Sequence, residues 1–225
     1  GFKEIIFITH SSKYSIEDHF DKSFELETVL EKRIKKSYLK EIKAISKLDL
    51  SISSIRQGEA KGLGHAILCA KKLIGDDPFA IALPDMLISN FKGRSGDSLK
   101  EMKDFFEENQ KSSILLGKAL KEEIHKFGIV KINKKLIYKK FYKLEKIIEK
   151  PSIKKAPSNL FAAGRYVFTS KLMDELSKVS PDKSGEIQLT DAIDKLILLD
   201  EEVLGLRLKG KVYDCGERDN YILAN

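Results

Sequence analysis

The stretch RQGEAKGLGHA, residues 56–66, is rich in glycine for a segment between a strand-like run and a helix-like run. Gly58, Gly62 and Gly64 allow the backbone to turn sharply and to approach a flat or charged ligand. The Gln57 amide both donates and accepts hydrogen bonds, which suits the edge of a pyrimidine base. The glycine spacing matches neither the dinucleotide fingerprint nor the Walker loop. The stretch indicates either a ligand-binding loop or an ordinary strand-to-helix turn, and both interpretations stay open here.

Two aspartates follow predicted strands. Asp85 closes FAIALPD, and Asp214 closes VLGLRLKGKVYD. Ligands of open α/β sheets bind beyond the carboxyl ends of the strands, so both carboxylates are expected at that edge. Together they could hold Mg²⁺, which prefers carboxylate, water and phosphate oxygens. An aspartate at a strand end is also a common turn residue, and the spacing does not decide between the two roles.

A neighbouring acid and base stand in IIEKP, where Glu149 precedes Lys150. In an extended segment, consecutive side chains point to opposite sides. Glu149 could accept hydrogen bonds from sugar hydroxyls, and Lys150 could neutralise a phosphate. The alternative is an exposed pair before a turn proline.

Strand-like and helix-like runs alternate along the chain. Strands are predicted over 4–10, 52–55, 79–85, 112–120, 127–133, 160–169 and 203–216, with a lysine-rich hairpin region before 144–151. Helices are predicted over 15–47, with a break near 21–23, and over 65–74, 98–109, 170–179 and 186–200. This alternation predicts an α/β fold with a mainly parallel mixed sheet and helices on both faces. Because no linker or repeat interrupts the pattern, one domain over residues 1–225 is expected.

The charge balance indicates an anionic partner. The net charge is +7, from 41 basic and 34 acidic residues, which fits either a nucleic acid or a phosphorylated small molecule. The densest basic cluster, residues 30–47, alternates lysine with apolar residues at helical spacing and lacks interleaved aromatic residues that would stack on bases. We therefore interpret it as a solvated helix surface and expect no nucleic-acid partner.

The remaining composition excludes a membrane protein. No apolar run approaches the roughly 18 residues of a membrane span. Cys69 and Cys215 match no metal-binding spacing, so a reducing, cytoplasmic location is expected.

Seven segments occur in one order along the chain: RQGEAKGLGHAIL, DDPFAIALPD, FGIV, IIEKP, APSNLFAAGRYVF, GEIQLTDAI and KGKVYDCG. This series resembles the bacterial UTP–glucose-1-phosphate uridylyltransferases over essentially all 225 residues. The resemblance implies a Rossmann-like nucleotidyltransferase fold. It also implies that UTP and glucose 1-phosphate are converted to UDP-glucose and pyrophosphate, with Mg²⁺.

The resemblance also implies roles for particular residues. Gln57 and the backbone of Gly62 would hold the uracil. Asp85 would bind Mg²⁺, with Asp214 as a second ligand. Gly128 and Glu149 would contact the glucose, and Lys150 would bind the phosphate next to the sugar. Arg165 and Glu186 would lie near the site.

One part of the family pattern is missing. The family's first strand and its G-x-G-T-R and K-E-M-L-P segments, which surround the triphosphate, have no match in residues 1–20. We therefore expect an N-terminally truncated domain that alone makes little or no UDP-glucose. The alternative function is a truncated, catalytically weak or inactive nucleotide-sugar-binding module. The resemblance also suggests a homo-oligomer.

Overall fold

The computed structural model describes residues 2–11, 15–21, 28–29, 50–90 and 97–225. Near its start, β1 (Glu4–Thr9) and β2 (Ser51–Arg56) form a parallel pair. The helix α1 (Ser15–Phe20) lies between them in sequence. Most of the helical region predicted over 15–47, with the basic cluster at 30–47, lies outside the described residues.

Most of the later elements lie close to their predicted positions, but the helices at Lys121–Lys126 and Arg218–Ala224 were not predicted. The helices are α2 (Gly62–Cys69), α3 (Lys71–Ile74), α4 (Asp97–Asn109), α5 (Lys171–Leu176), α6 (Leu189–Leu198) and α7 (Arg218–Ala224), with a 3-10 helix at Lys121–Lys126. The strands are β3 (Phe79–Ala82), β4 (Met86–Asn90), β5 (Ser112–Lys118), β6 (Ile129–Tyr138), β7 (Phe141–Ile148), β8 (Leu160–Phe168), β9 (Val203–Arg207) and β10 (Gly210–Asp214).

Two strand predictions need correction. The strand β4 was not predicted, because it directly follows the turn at Pro84 and Asp85. The run 203–216 was predicted as one strand but forms β9 and β10, which join different sheets. The strands β4 and β10 pair in antiparallel fashion, with Asp214 opposite Met86.

The prediction of a mainly parallel sheet is wrong for the described residues. The main sheet has the order β3-β8-β5-β9-β7-β6, and an additional β8–β6 pairing closes five of these strands into a ring. Within this sheet only β5 and β9 are parallel. The hairpin of β6 and β7 is one cause, because a two-residue connection joins strands only in antiparallel fashion.

Helices pack on both faces of this sheet. Successive strand residues point to opposite sides, so one strand can contribute side chains to an apolar cluster on each face. On β5, Ile114 and Leu116 join an apolar cluster with α5 and α6, whereas Leu115 joins a second cluster with α4. The helices of the described ranges are all too short or too polar to span a bilayer.

Two strands that lead to the candidate site, β3 and β6, pair along the same edge of β8. The strand β3 pairs there with the second half of β8, and Ala82 lies opposite Arg165. The strand β6 pairs with the first half, and Ile129 lies opposite Phe161. The end of β3 and the start of β6 therefore meet along the same edge of one strand.

Candidate active site

The glycine-rich loop after β2 is held by its own side chains. The Gln57 amide nitrogen donates to the carbonyl oxygen of Gly62 at 3.1 Å and lies 3.0 Å from Nδ1 of His65. Both hydrogens of this amide are thus directed into the loop, and the Gln57 carbonyl oxygen is left to accept a hydrogen bond from a ligand. The loop is a preformed, partly buried polar surface.

At two of its positions, Gly62 and Gly64, a side chain would clash with the segment that precedes α6. Ile187 donates its backbone N–H to Lys61 and accepts from the N–H of Gly64, each at 2.9 Å. A Cβ added to Gly64 would lie 2.6 Å from the Ile187 carbonyl oxygen. Gly62 has φ +84°, and an added Cβ would lie 2.9 Å from Cβ of Glu186. Glu186, expected near the site, thus packs against the loop.

Asp85 and Asp214 are brought together although they are far apart in sequence. Asp214 ends β10 opposite Met86, and the backbone N–H of Cys215 donates to the Asp85 carbonyl at 2.8 Å. A Cβ added to Gly216 would lie 3.1 Å from Oδ1 of Asp214 and 4.0 Å from Oδ2 of Asp85. One point beside Gly216 is therefore close to both carboxylates.

Arg165 holds the turn that carries Asp85. Its Nη1 donates to the carbonyl oxygens of Leu83 at 2.7 Å and Gly164 at 3.0 Å, and its Nη2 donates to that of Met86 at 3.1 Å. Burial lowers the pKa of the Arg165 guanidinium from its ordinary value, and the charge of Asp85 partly offsets that effect. Arg165 therefore holds the turn through three backbone carbonyls and lies close enough to Asp85 to be influenced by its charge.

Glu149 lies in a compact group with Gly128 and Thr190. The Thr190 hydroxyl donates to Oε2 of Glu149 at 3.1 Å. A Cβ added to Gly128 would lie 3.2 Å from the same oxygen and 2.7 Å from Cγ2 of Thr190. Burial raises the pKa of Glu149, whereas the Thr190 hydrogen bond and the charge of Lys150 lower it.

Lys150 is more open to solvent than its neighbour. Its side chain is 58% exposed, against 25% for Glu149, and its Nζ lies 3.9 Å from Oε1 of Glu149. The backbone at Lys150 is left-handed, with φ +39°, and its N–H donates to the Phe127 carbonyl at 3.1 Å. The turn therefore directs the ammonium group away from the sheet and into solvent.

The groups around Asp85 and around Glu149 are both linked to one stretch of β8. Gly128 accepts from the backbone N–H of Ala162 at 3.0 Å, and Leu83 donates to Gly164 at 2.9 Å. Two residues along a strand span about 7 Å. Burial raises the pKa of the Tyr166 phenol, and the charges of both Glu149 and Asp85 raise it further. The two acidic groups are thus close enough to act on one buried phenol.

The sequence did not indicate three residues of this site: Gly164, Tyr166 and Thr190. Gly164 has φ +69°, and an added Cβ would lie 2.9 Å from Met86. A glycine within a strand pattern is a known sign of a close backbone approach, so this residue could have been found. Thr190 and Tyr166 carry no such signal, because each reads as part of an ordinary amphipathic run.

A family model described as nucleotidyl transferase matches residues 5–225. The UTP–glucose-1-phosphate uridylyltransferase of Haemophilus ducreyi is 45% identical over 226 residues, which cover 100% of this chain and 76% of that protein. The enzyme of the same name from Escherichia coli K12 is 42% identical, and the match covers 74% of its length. The chain belongs to the nucleotidyltransferase family, and within it to the bacterial UTP–glucose-1-phosphate uridylyltransferases.

Solved structures agree with this membership. A UTP-bound UGPase from Acinetobacter baumannii is 39% identical, with a TM-score of 0.85, and the match covers 100% of this chain and 76% of the other. A UDP-glucose pyrophosphorylase complexed with UDP-glucose is 34% identical, also with a TM-score of 0.85, and the match covers 99% and 79% of the two chains. The α/β nucleotidyltransferase fold with mixed sheets is thereby shown.

Proposed function

We propose that this chain makes UDP-glucose and pyrophosphate from UTP and glucose 1-phosphate, using the residues that meet along β8. Because the family's triphosphate segments have no match in residues 1–20, its turnover is expected to be low. A phosphate oxygen of glucose 1-phosphate attacks the α-phosphorus of UTP and forms a new P–O bond. The bond between that phosphorus and the oxygen leading to the β-phosphate breaks, and pyrophosphate leaves with the electron pair. The observation that carries the proposal is that two residues of β8 bond to the segments that carry the acidic groups: Gly164 accepts from Leu83, before Asp85, and Ala162 donates to Gly128, which packs against Glu149. Asp214 joins Asp85 through the pairing of β10 with β4.

The glycine-rich loop is proposed to bind uracil. The Gln57 amide nitrogen is already engaged by Gly62 and His65. Its carbonyl oxygen is then the acceptor for the N3–H of the base, a group that uracil presents as a donor. The backbone of Gly62, held open by its positive φ, lies beside the base.

Asp85 and Asp214 fit a Mg²⁺ ion. Both are hard oxygen donors, and both lie close to one point beside Gly216. No group of three or more metal-ligating side chains occurs in the described part of the chain, and these two carboxylates are the ligands proposed from it. That number suits Mg²⁺, which commonly binds one or two carboxylates and completes its shell with water and substrate phosphates. When bound, the ion would neutralise phosphate charge and orient the triphosphate.

Lys150 and Glu149 are proposed to hold the sugar phosphate. The ammonium group of Lys150 would offset the repulsion between the two phosphates that must approach each other. Oε1 of Glu149 would accept a hydrogen bond from a glucose hydroxyl, since Oε2 already accepts from Thr190. The attacking phosphate is an anion, so no general base is needed, and the protein contributes by positioning and charge neutralisation.

The location is proposed to be cytoplasmic. Cys69 and Cys215 are both free thiols, which fits a reducing compartment.

The test is Mg²⁺-dependent formation of UDP-glucose, with calorimetric binding of UDP-glucose measured alongside. We expect Asp85→Asn to lower product formation by at least about 100-fold, because removal of a metal ligand loses charge stabilisation in the transition state. Asp76→Asn, an exposed aspartate after α3, is the matched control and should leave formation unchanged.

A folded chain that neither binds nor forms UDP-glucose would contradict the proposal. Binding without any product formation would favour the alternative of a non-catalytic nucleotide-sugar-binding module.

A further inference from the structure

Thr190 holds the carboxylate that faces the sugar site. It lies in the first turn of α6, is 8% exposed, and donates its hydroxyl to Oε2 of Glu149 at 3.1 Å. The hydroxyl occupies one carboxylate oxygen and fixes the plane of the group. Oε1 is left facing Lys150, whose Nζ is 3.9 Å away. The two oxygens of Glu149 therefore have different partners.

A second contact keeps α6 and β7 in register. The backbone N–H of Ile147 donates to Oδ1 of Asp194 at 3.1 Å. Thr190 and Asp194 are four residues apart and share one helix face, with a rise of about 6 Å between them. Ile147 is the next-to-last residue of β7, and Glu149 directly follows the last strand residue, Ile148. One face of α6 therefore contacts both the end of β7 and the residue that follows it.

Gly128 makes this placement tight. Its missing side chain is replaced by the Thr190 methyl group, which lies 2.7 Å from the position of an added Cβ. Thr190 is thus fixed through its methyl group on one side and its hydroxyl on the other. The hydroxyl has little freedom to turn away from Glu149.

The charges around Glu149 make the hydrogen bond important. The charge of Lys150 favours the ionised form of Glu149, whereas the charges of Asp191 and Glu186 raise its pKa. The nearby phenol of Tyr166 is neutral and supplies no positive charge. Burial itself also favours the neutral acid. A neutral donor at Oε2 offsets part of this penalty.

We propose that Thr190 is a positioning residue that sets affinity for the sugar part of the nucleotide sugar, by orienting Glu149 and keeping it as a hydrogen-bond acceptor. This inference rests on the proposed function. Thr190 has no part in base binding, since its contacts are with Glu149 and Gly128.

The experiment compares calorimetric binding of UDP-glucose and of UDP in the parent chain, Thr190→Val and Thr190→Ser. We expect Thr190→Val to weaken UDP-glucose binding about tenfold, as loss of a hydrogen bond to a charged group predicts, and to change UDP binding by less than about twofold. The acid limb of UDP-glucose binding should move to higher pH, because loss of the donor raises the pKa of Glu149 further. Thr190→Ser should restore both properties.

The inference is overturned if Thr190→Val binds both ligands like the parent, or if it weakens UDP as much as UDP-glucose. It is also overturned if Thr190→Ser behaves like Thr190→Val. Thr190→Ala, which avoids a branched apolar side chain, gives the same comparison if Thr190→Val does not fold. A parent chain that binds neither ligand removes the proposed function, whereas a parent that binds both with no effect of Thr190 removes this inference alone.

Discussion

Arg165 encloses the backbone of the turn that presents Asp85. Its guanidinium donates to the carbonyl oxygens of Leu83 and Met86, on either side of Asp85, at 2.7 and 3.1 Å. Burial lowers the pKa of the Arg165 guanidinium, and the charge of Asp85 partly offsets this decrease. Arg165 therefore supports Asp85 through the main chain of its turn, and the charge of Asp85 in return favours the charged form of Arg165.

Replacing Arg165 should loosen that turn. We expect Arg165→Lys to lower the free energy of unfolding by on the order of 2 kcal/mol, because an ammonium group cannot reach three carbonyl oxygens in the geometry of a guanidinium. UDP-glucose binding should also need a higher Mg²⁺ concentration to reach half of its full Mg²⁺ effect. Binding measurements across a Mg²⁺ titration test this. Arg207→Lys is the control, because Arg207 stacks on Tyr142 away from this turn. Equal effects of the two substitutions would contradict this role.

The glycine loop offers a comparison within a few residues. Gly64→Ala places a methyl group 2.6 Å from the Ile187 carbonyl oxygen, whereas an added Cβ at Gly58 meets nothing within 4 Å. We expect Gly64→Ala to destabilise the fold by roughly 2 kcal/mol and to weaken UTP binding, since overpacking displaces the loop from its support. Gly58→Ala should change stability by less than about 0.5 kcal/mol. Denaturant unfolding and calorimetry measure both, and matching values for the two variants would disprove the account.

Lys150 should act mainly through its charge. We expect Lys150→Gln to weaken UDP-glucose binding about tenfold at low salt, with a smaller loss at high salt, because its ammonium group is partly exposed and therefore screened. Lys154→Gln, an exposed lysine four residues later, is the control. Binding titrations at two ionic strengths distinguish the cases. A loss that does not depend on salt would point to a packing role instead.

Glu149 should show a conflict between stability and binding. Burial raises the pKa of Glu149, so the ionised carboxylate destabilises the folded state above that raised pKa. The penalty disappears below the ordinary carboxyl value of 4.5, where the folded and unfolded states are both protonated. Glu149→Gln should thus raise the unfolding temperature at pH 7 and lose that advantage near pH 4.

The same substitution should weaken UDP-glucose binding by at least about tenfold, because an amide is a weaker acceptor than a carboxylate. Glu145→Gln, at an exposed residue of β7 four positions before Glu149, should change neither property at the site. Thermal unfolding across the pH range gives the stability result. A stability gain that is equal at pH 4 and pH 7 would show that ionisation is not its cause.

Local sequence patterns predicted most strands and helices, because runs such as EIIFIT and ILLG alternate or bury apolar side chains at the right period. They did not predict strand direction. The antiparallel pairing of β5 with β8 joins Ser113 to Val167, and such contacts between distant residues leave no local trace. Closure of the ring rests on two residue pairs between β6 and β8.

The residue types of the candidate site were visible in the sequence, but their spatial arrangement was not. A glycine-rich loop, aspartates at strand ends and a Glu-Lys pair each suggested a ligand, and the family resemblance joined them. Thr190 was missed because LTDAIDKLIL reads as a common helix start, and its partner lies on another element. The arrangement of Arg165 around the Asp85 turn likewise depends on pairing between β3 and β8, which the sequence does not reveal.

The five residues from Glu186 to Thr190 touch both ends of the bound nucleotide sugar's proposed location. Ile187 is bonded to the glycine loop, and Thr190, three positions later, is bonded to Glu149. A shift of the main chain in this segment would therefore move both contacts, whereas a side-chain change at Thr190 alone leaves the bonds of Ile187 to the loop in place. Selectivity for the base and selectivity for the hexose share one mechanical support in this enzyme, so neither can be re-engineered in this segment without re-measuring the other.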